Sequence, residues 1–157
     1  MTGSGHQPQG IPISECGLDD FTLKLLQLSR VYFTAYAEGE APDGKLAAAI
    51  CKRDFGHRYS VEIAMSLLCV LGAMRESRKS TFKFNSTTCQ KCRYRISDCE
   101  RLLFLTIKAS RDGNKSEAWV FAMMLCEGND AMPLIKAVER LNHFMNKIKF
   151  EPKNISP

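Results

Sequence analysis

Seven cysteines stand in this chain of 157 residues, and three of them crowd one stretch. Cys89 and Cys92 are separated by Gln90 and Lys91, and Cys99 follows after six intervening residues. Thiolates at this spacing suit a tetrahedral ion. Two intervening residues let the backbone curl around the ion and turn its N–H groups toward sulfur, as in zinc sites and iron–sulfur clusters. Two sulfurs do not close such a site, so further donors are needed. Cys99 is the nearest, at the start of a helix whose dipole favours a thiolate. Cys126 is next, because it closes a helix just before Glu127-Gly128 and faces a chain reversal. The expected ligand set is therefore Cys89 and Cys92, completed from Cys99, Cys126 or Cys69, with zinc as the ion and an iron–sulfur cluster as the alternative. A redox dithiol is a further reading of the C-x-x-C pair, and two surface thiols without a role is the plain one. Cys16, Cys51 and Cys69 read as small core residues.

The same stretch is strongly basic. From residue 75 to residue 95 it holds Arg75, Arg78, Lys79, Lys83, Lys91, Arg93 and Arg95 against Glu76 alone, a net +6. The whole chain carries +5, so everything outside that stretch sums to −1. A local excess of this size points to nucleic acid or an acidic protein surface as partner. The bland alternative is a solvated loop. Tyr94, Phe82 and Phe84 are candidates to stack on bases, although the simpler expectation for the two phenylalanines is to anchor the loop to the core.

Catalytic patterns are missing. No G-x-S-x-G, phosphate-binding loop or H-E-x-x-H occurs. His6, His57 and His143 fall in a tail, an inter-helix turn and a terminal helix. A thioredoxin-type enzyme needs its C-x-x-C between a strand and a helix of a βαβ unit, and the flanking pattern offers none. The sequence thus predicts a protein that is not an enzyme.

The elements that must position these residues are helices. Leu18, Phe21, Leu25, Leu28, Tyr32 and Ala35 recur at three- and four-residue steps and predict a first helix to Ala37, ended by Gly39 and Pro42. A shorter helix is expected from Gly44 to Asp54. A strongly apolar one follows from Val61 to Arg75, capped by Ser60 and buried on most sides. Thr81–Phe84 alternates and suggests a short extended segment. Ser97-Asp-Cys-Glu100 is a capping box opening a helix to Arg111. Two more helices are expected, Ser116–Cys126 and one capped by Asp130 with Pro133 in its first turn. Six helices with short connections make an all-α, single-domain bundle of residues 15–150, with one irregular cysteine-bearing loop at 80–96. Residues 1–14 read as a disordered tail and 151–157 as a frayed one.

No apolar run approaches the ~20 residues of a membrane span, and the first residues lack the marks of a secretory signal. A cytoplasmic location and no membrane partner are expected. Taken together, the sequence predicts a non-enzymatic regulatory protein in which a cysteine metal centre supports a basic loop that binds nucleic acid. Two alternatives use the same residues: an adaptor or anti-regulator that docks an acidic protein on the basic face, and a thiol or iron–sulfur redox sensor.

Overall fold

The computed structural model describes residues 9–41 and 44–150, the side chains of 149 and 150 excepted. His6, Pro42, residues 1–8 of the expected leading tail and all of the trailing tail lie outside the described residues. Six α-helices account for most of the rest: α1 (Asp20–Ala37), α2 (Gly44–Phe55), α3 (Ser60–Ser77), α4 (Asp98–Arg111), α5 (Lys115–Leu125) and α6 (Met132–Phe150). The fold is all-α, a single helical bundle.

Local chemistry sets the helix starts. The Thr22 N–H donates to Asp19 Oδ1 at 2.9 Å and fixes the first turn of α1. The capping box at Ser97 is complete: Glu100 N–H donates to Ser97 Oγ at 3.1 Å, and Ser97 N–H donates to Glu100 Oε1 at 3.0 Å. Asn114 Oδ1 accepts from Glu117 N–H at 3.2 Å to open α5, and Asp130 Oδ1 accepts from Met132 N–H at 3.0 Å to open α6. Ser60 behaves differently from its expected role. It is the first residue of α3 and is buried, with its hydroxyl turned back to the His57 carbonyl at 3.2 Å.

Packing pairs α4 broadly with α5 and α3 with α6, while α1 touches both α2 and α4. Ile63, Leu67, Val70, Leu71 and Met74 of α3 are in the core with Leu134, Val138, Leu141 and Met145 of α6. One stripe of α3 stays outside: Val61, Met65 and Cys69, four residues apart, are exposed. Cys69 is therefore a surface thiol and not the core residue expected, because it falls on the one turn-to-turn row that no neighbour covers. Cys16 and Cys51 are buried as expected.

Residues 9–14, read from sequence as part of a tail, are ordered against the loop. Ile11–Pro12 (β1) pairs antiparallel with Arg95–Ile96 (β2), Ile11 opposite Ile96. Gly10 makes this approach possible. Its φ is +78°, and a Cβ there would lie 1.7 Å from the Ile96 carbonyl oxygen. Thr81–Phe84, expected to be extended, joins no sheet. No helix among the described residues is long and apolar enough to cross a membrane.

Candidate functional site

The loop between α3 and α4 is fastened by a buried ion pair. Arg30, from the middle of α1, and Glu100, from the first turn of α4, are both fully buried. Their contact is bidentate: Arg30 Nε donates to Glu100 Oε2 at 2.7 Å and Nη2 to Oε1 at 3.0 Å. The same guanidinium donates to the Arg93 carbonyl at 3.0 Å and the Arg95 carbonyl at 2.6 Å. One side chain from α1 thus holds the end of the loop and the first turn of α4 together. Asn85, also buried, adds a second tie, donating through Nδ2 to the carbonyls of Arg95 at 2.9 Å and Gln9 at 3.0 Å. Ser97 Oγ donates to the Lys83 carbonyl at 2.6 Å. Sequence reasoning found Glu100 as a cap and missed Arg30. The available signal was a charge at position 30 between Leu26 and Phe33 on the apolar face of α1.

Cys89 and Cys92 share one tight turn. The Arg93 N–H donates to the Cys89 carbonyl at 3.0 Å, and the Cys92 N–H donates to Cys89 Sγ at 3.3 Å. Cys89 is half-buried and Cys92 is 1 % exposed. Burial, with the hydrogen bond to Cys89 and the nearby Cys89 charge, pushes the Cys92 thiol up to about 11, against the Arg30 charge. The two sulfur side chains therefore face one another, as the spacing predicts.

Cys99 and Cys126 belong to a different neighbourhood. Cys99 Sγ lies 3.6 Å from Arg78 Nη2. Cys126 Sγ accepts from Ser77 Oγ at 3.1 Å, and burial raises its thiol above the ordinary value, against that hydrogen bond and the Arg78 charge. The reason for the separation is the helix itself. Glu100 turns inward to Arg30, and its neighbour Cys99 points about 100° away around α4. Among the described residues, no group of three or more His, Cys, Asp or Glu side chains could hold a metal ion. Cys69 is on the exposed stripe of α3. A metal at Cys89 and Cys92 needs donors other than the expected Cys99, Cys126 or Cys69.

The seven basic residues divide by task. Arg78 is half-buried and structural: Nη1 donates to the Leu125 carbonyl at 2.7 Å and Nη2 to the Thr81 carbonyl at 3.3 Å. Arg95 is half-buried and donates to the Gly10 carbonyl across the β1–β2 pair. Arg75, Lys79, Lys83, Lys91 and Arg93 are exposed. The Lys79 and Ser80 N–H groups donate to Glu127 Oε1 at 2.7 and 3.1 Å, so the loop is also moored to the α5–α6 turn. These bonds hold the Glu127 carboxyl down at about 2.

Three of these cations border an aromatic groove of about 620 Å³. Phe33, Tyr36, Phe82 and Phe84 line it, with Arg75, Arg78 and Lys83 around them. Phe82 and Phe84 pack on Phe33 with ring centres 4.8 and 5.4 Å apart, which is the anchoring role expected for them. Both residues are only partly buried, so part of each ring remains available to the groove. The Arg75 guanidinium lies 4.0 Å from the Tyr36 ring centre. Around the corner, Tyr94 is 63 % exposed with Arg93 over its ring at 4.8 Å. The groove itself was not foreseen from sequence, because Phe33 and Tyr36 reach it from α1. No family model, curated protein or solved structure matches this chain.

Proposed function

We propose that this protein is a non-enzymatic regulator that binds single-stranded nucleic acid along its basic loop. The observation that carries the reading is the aromatic groove bordered by cations. A base has two flat apolar faces and hangs from a charged phosphate. Such a ligand matches a floor of Phe82, Phe84 and Tyr36 with Arg75 and Lys83 at the edge. Stacking of a base on an aromatic side chain contributes about 1–3 kcal/mol and tolerates any sequence. Phosphate contacts by Arg75, Lys79 and Lys83 add a salt-dependent term and fix the strand's path. The groove lies within the roughly 300–1,000 Å³ of small-ligand sites, so it takes one or two bases and not a duplex. Tyr94 with Arg93 offers a second stacking platform further along the loop.

The test is fluorescence anisotropy with a labelled oligothymidylate of about 20 nucleotides, against a duplex of the same length. Sub-micromolar binding of the single strand at low salt is expected, with the duplex much weaker. Tyr36→Ala should weaken single-strand binding about 5- to 100-fold, the loss of one stacked base, because Tyr36 lines the groove without being buried in the core. No binding to either form at low salt would transfer the basic surface to the other reading, an acidic protein partner.

A further inference from the structure

The Cys89–Cys92 turn has a geometry that nucleic-acid binding does not use. We propose that it is a thiol–disulfide exchange site for small anionic disulfides such as oxidised glutathione, with Cys89 attacking and Cys92 resolving. Cys89 is the accessible member and Cys92 the buried one. The Cys92 backbone N–H points at Cys89 Sγ from 3.3 Å, so the attacking sulfur is already held beside its resolving partner. The turn is closed by the bond from Arg93 N–H to Cys89 O. Residues three apart in an α-type turn have Cα atoms about 5 Å apart, by helix geometry. That separation lies within the roughly 4.4–6.8 Å that a disulfide spans, so closure needs little backbone movement. Exposed Lys91 and Arg93 flank the pair and attract an anion. Arg30 pins the carbonyls of Arg93 and Arg95, so the frame around the turn stays in place while the sulfurs react.

The chemistry balances within one small disulfide. The Cys89 thiolate attacks one of its sulfurs, the S–S bond breaks, and the first small thiolate leaves with the electron pair. Cys92, losing its proton to solvent, then attacks Cys89 Sγ and displaces the second thiolate. Two protein thiols are oxidised, one small disulfide is reduced to two thiols, and the released protons end on those thiols.

The experiment treats the full reduced chain with oxidised glutathione without oxygen, quenches by alkylation and maps the peptides. Cys69 is the internal control, because it is exposed on α3 while Cys89 is half-buried. The expected result is an intramolecular Cys89–Cys92 disulfide formed at least about tenfold faster than Cys69 takes up glutathione. Cys92→Ser should trap glutathione on Cys89, and Cys89→Ser should leave Cys92 unmodified. Faster reaction at Cys69, or a Cys92→Ser chain that keeps its far-ultraviolet circular dichroism yet traps nothing at Cys89, overturns the proposal. Purification with one zinc ion per chain that is lost in Cys89→Ser overturns it as well, since the sulfurs are then ligands.

Discussion

Arg30 is the residue on which the loop depends, and its effect comes from how many groups one guanidinium satisfies. It serves two carboxylate oxygens and two carbonyls at once, of which Glu100 Oε1 also accepts from the Ser97 N–H and the Arg95 carbonyl also accepts from Asn85 Nδ2. No local pattern in the sequence states those partners, since they are 63 to 70 residues away. Glycine at position 10 is equally illegible, because only the Ile96 carbonyl above it and its positive φ demand it. Gly10→Ala should therefore break the β1–β2 pair, read as loss of amide-exchange protection at residues 11 and 96, while the helical signal is kept. Glu127 gives a pH prediction. Its carboxyl is depressed from the ordinary 4.5 to about 2 by the hydrogen bonds from Ser80 and Lys79. A depressed acid contributes stability above its unfolded value and loses it as pH falls through the folded one. The mooring of residues 79–80 should thus hold at pH 5 and release as pH falls from about 4.5 through about 2. Amide chemical shifts of Lys79 and Ser80 that move together with a midpoint near 4.5 contradict this.

At the level of elements, the six helices were legible because each carries its own instructions. Three- and four-residue apolar steps placed α1 and α6, and Asp19, Ser97, Asn114 and Asp130 sit where caps must sit. Their arrangement was not legible, because α1 meets α4 through separate polar contacts, Arg30 with Glu100 and Arg111 with Asp19 and Thr22, and not through a repeated pattern. That pair should be costly to break. Removing one partner strands a buried charge, so Glu100→Ala is expected to lower stability by about 3–5 kcal/mol. The double variant Arg30→Met, Glu100→Leu should recover only part of it, since apolar side chains avoid the desolvation cost but no longer serve the Arg93 carbonyl and the Ser97 N–H. Chemical denaturation of the two variants beside the unaltered chain checks this. A Glu100→Ala loss within about 0.5 kcal/mol of zero would mean that the pair behaves as a surface contact.

Across the whole molecule, the charge imbalance read from the sequence survives folding only in part. Of the seven cations in the basic stretch, Arg78 and Arg95 are tied to backbone carbonyls, while Arg75, Lys79, Lys83, Lys91 and Arg93 remain at the surface. The cysteine cluster likewise divides on folding, with Cys89 and Cys92 at the Arg30 turn and Cys99 and Cys126 beside Arg78. Sequence spacing foretold the pair and not the separation, because the helical rotation between Cys99 and Glu100 follows from where Arg30 lies. What folding adds is the groove, in which α1 supplies Phe33 and Tyr36 to a loop that carries Phe82, Phe84 and the cations. The most direct measurement is the salt dependence of single-strand binding. Arg75, Lys79 and Lys83 on phosphates give a slope of log K against log salt of about −2, and all five exposed cations about −3.5. Lys83→Ala should make the slope shallower by about 0.7 with the fold unchanged. A slope in that range, reduced in Lys83→Ala, is the expected result; a flat salt response, or a slope indifferent to Lys83, contradicts strand binding at this groove.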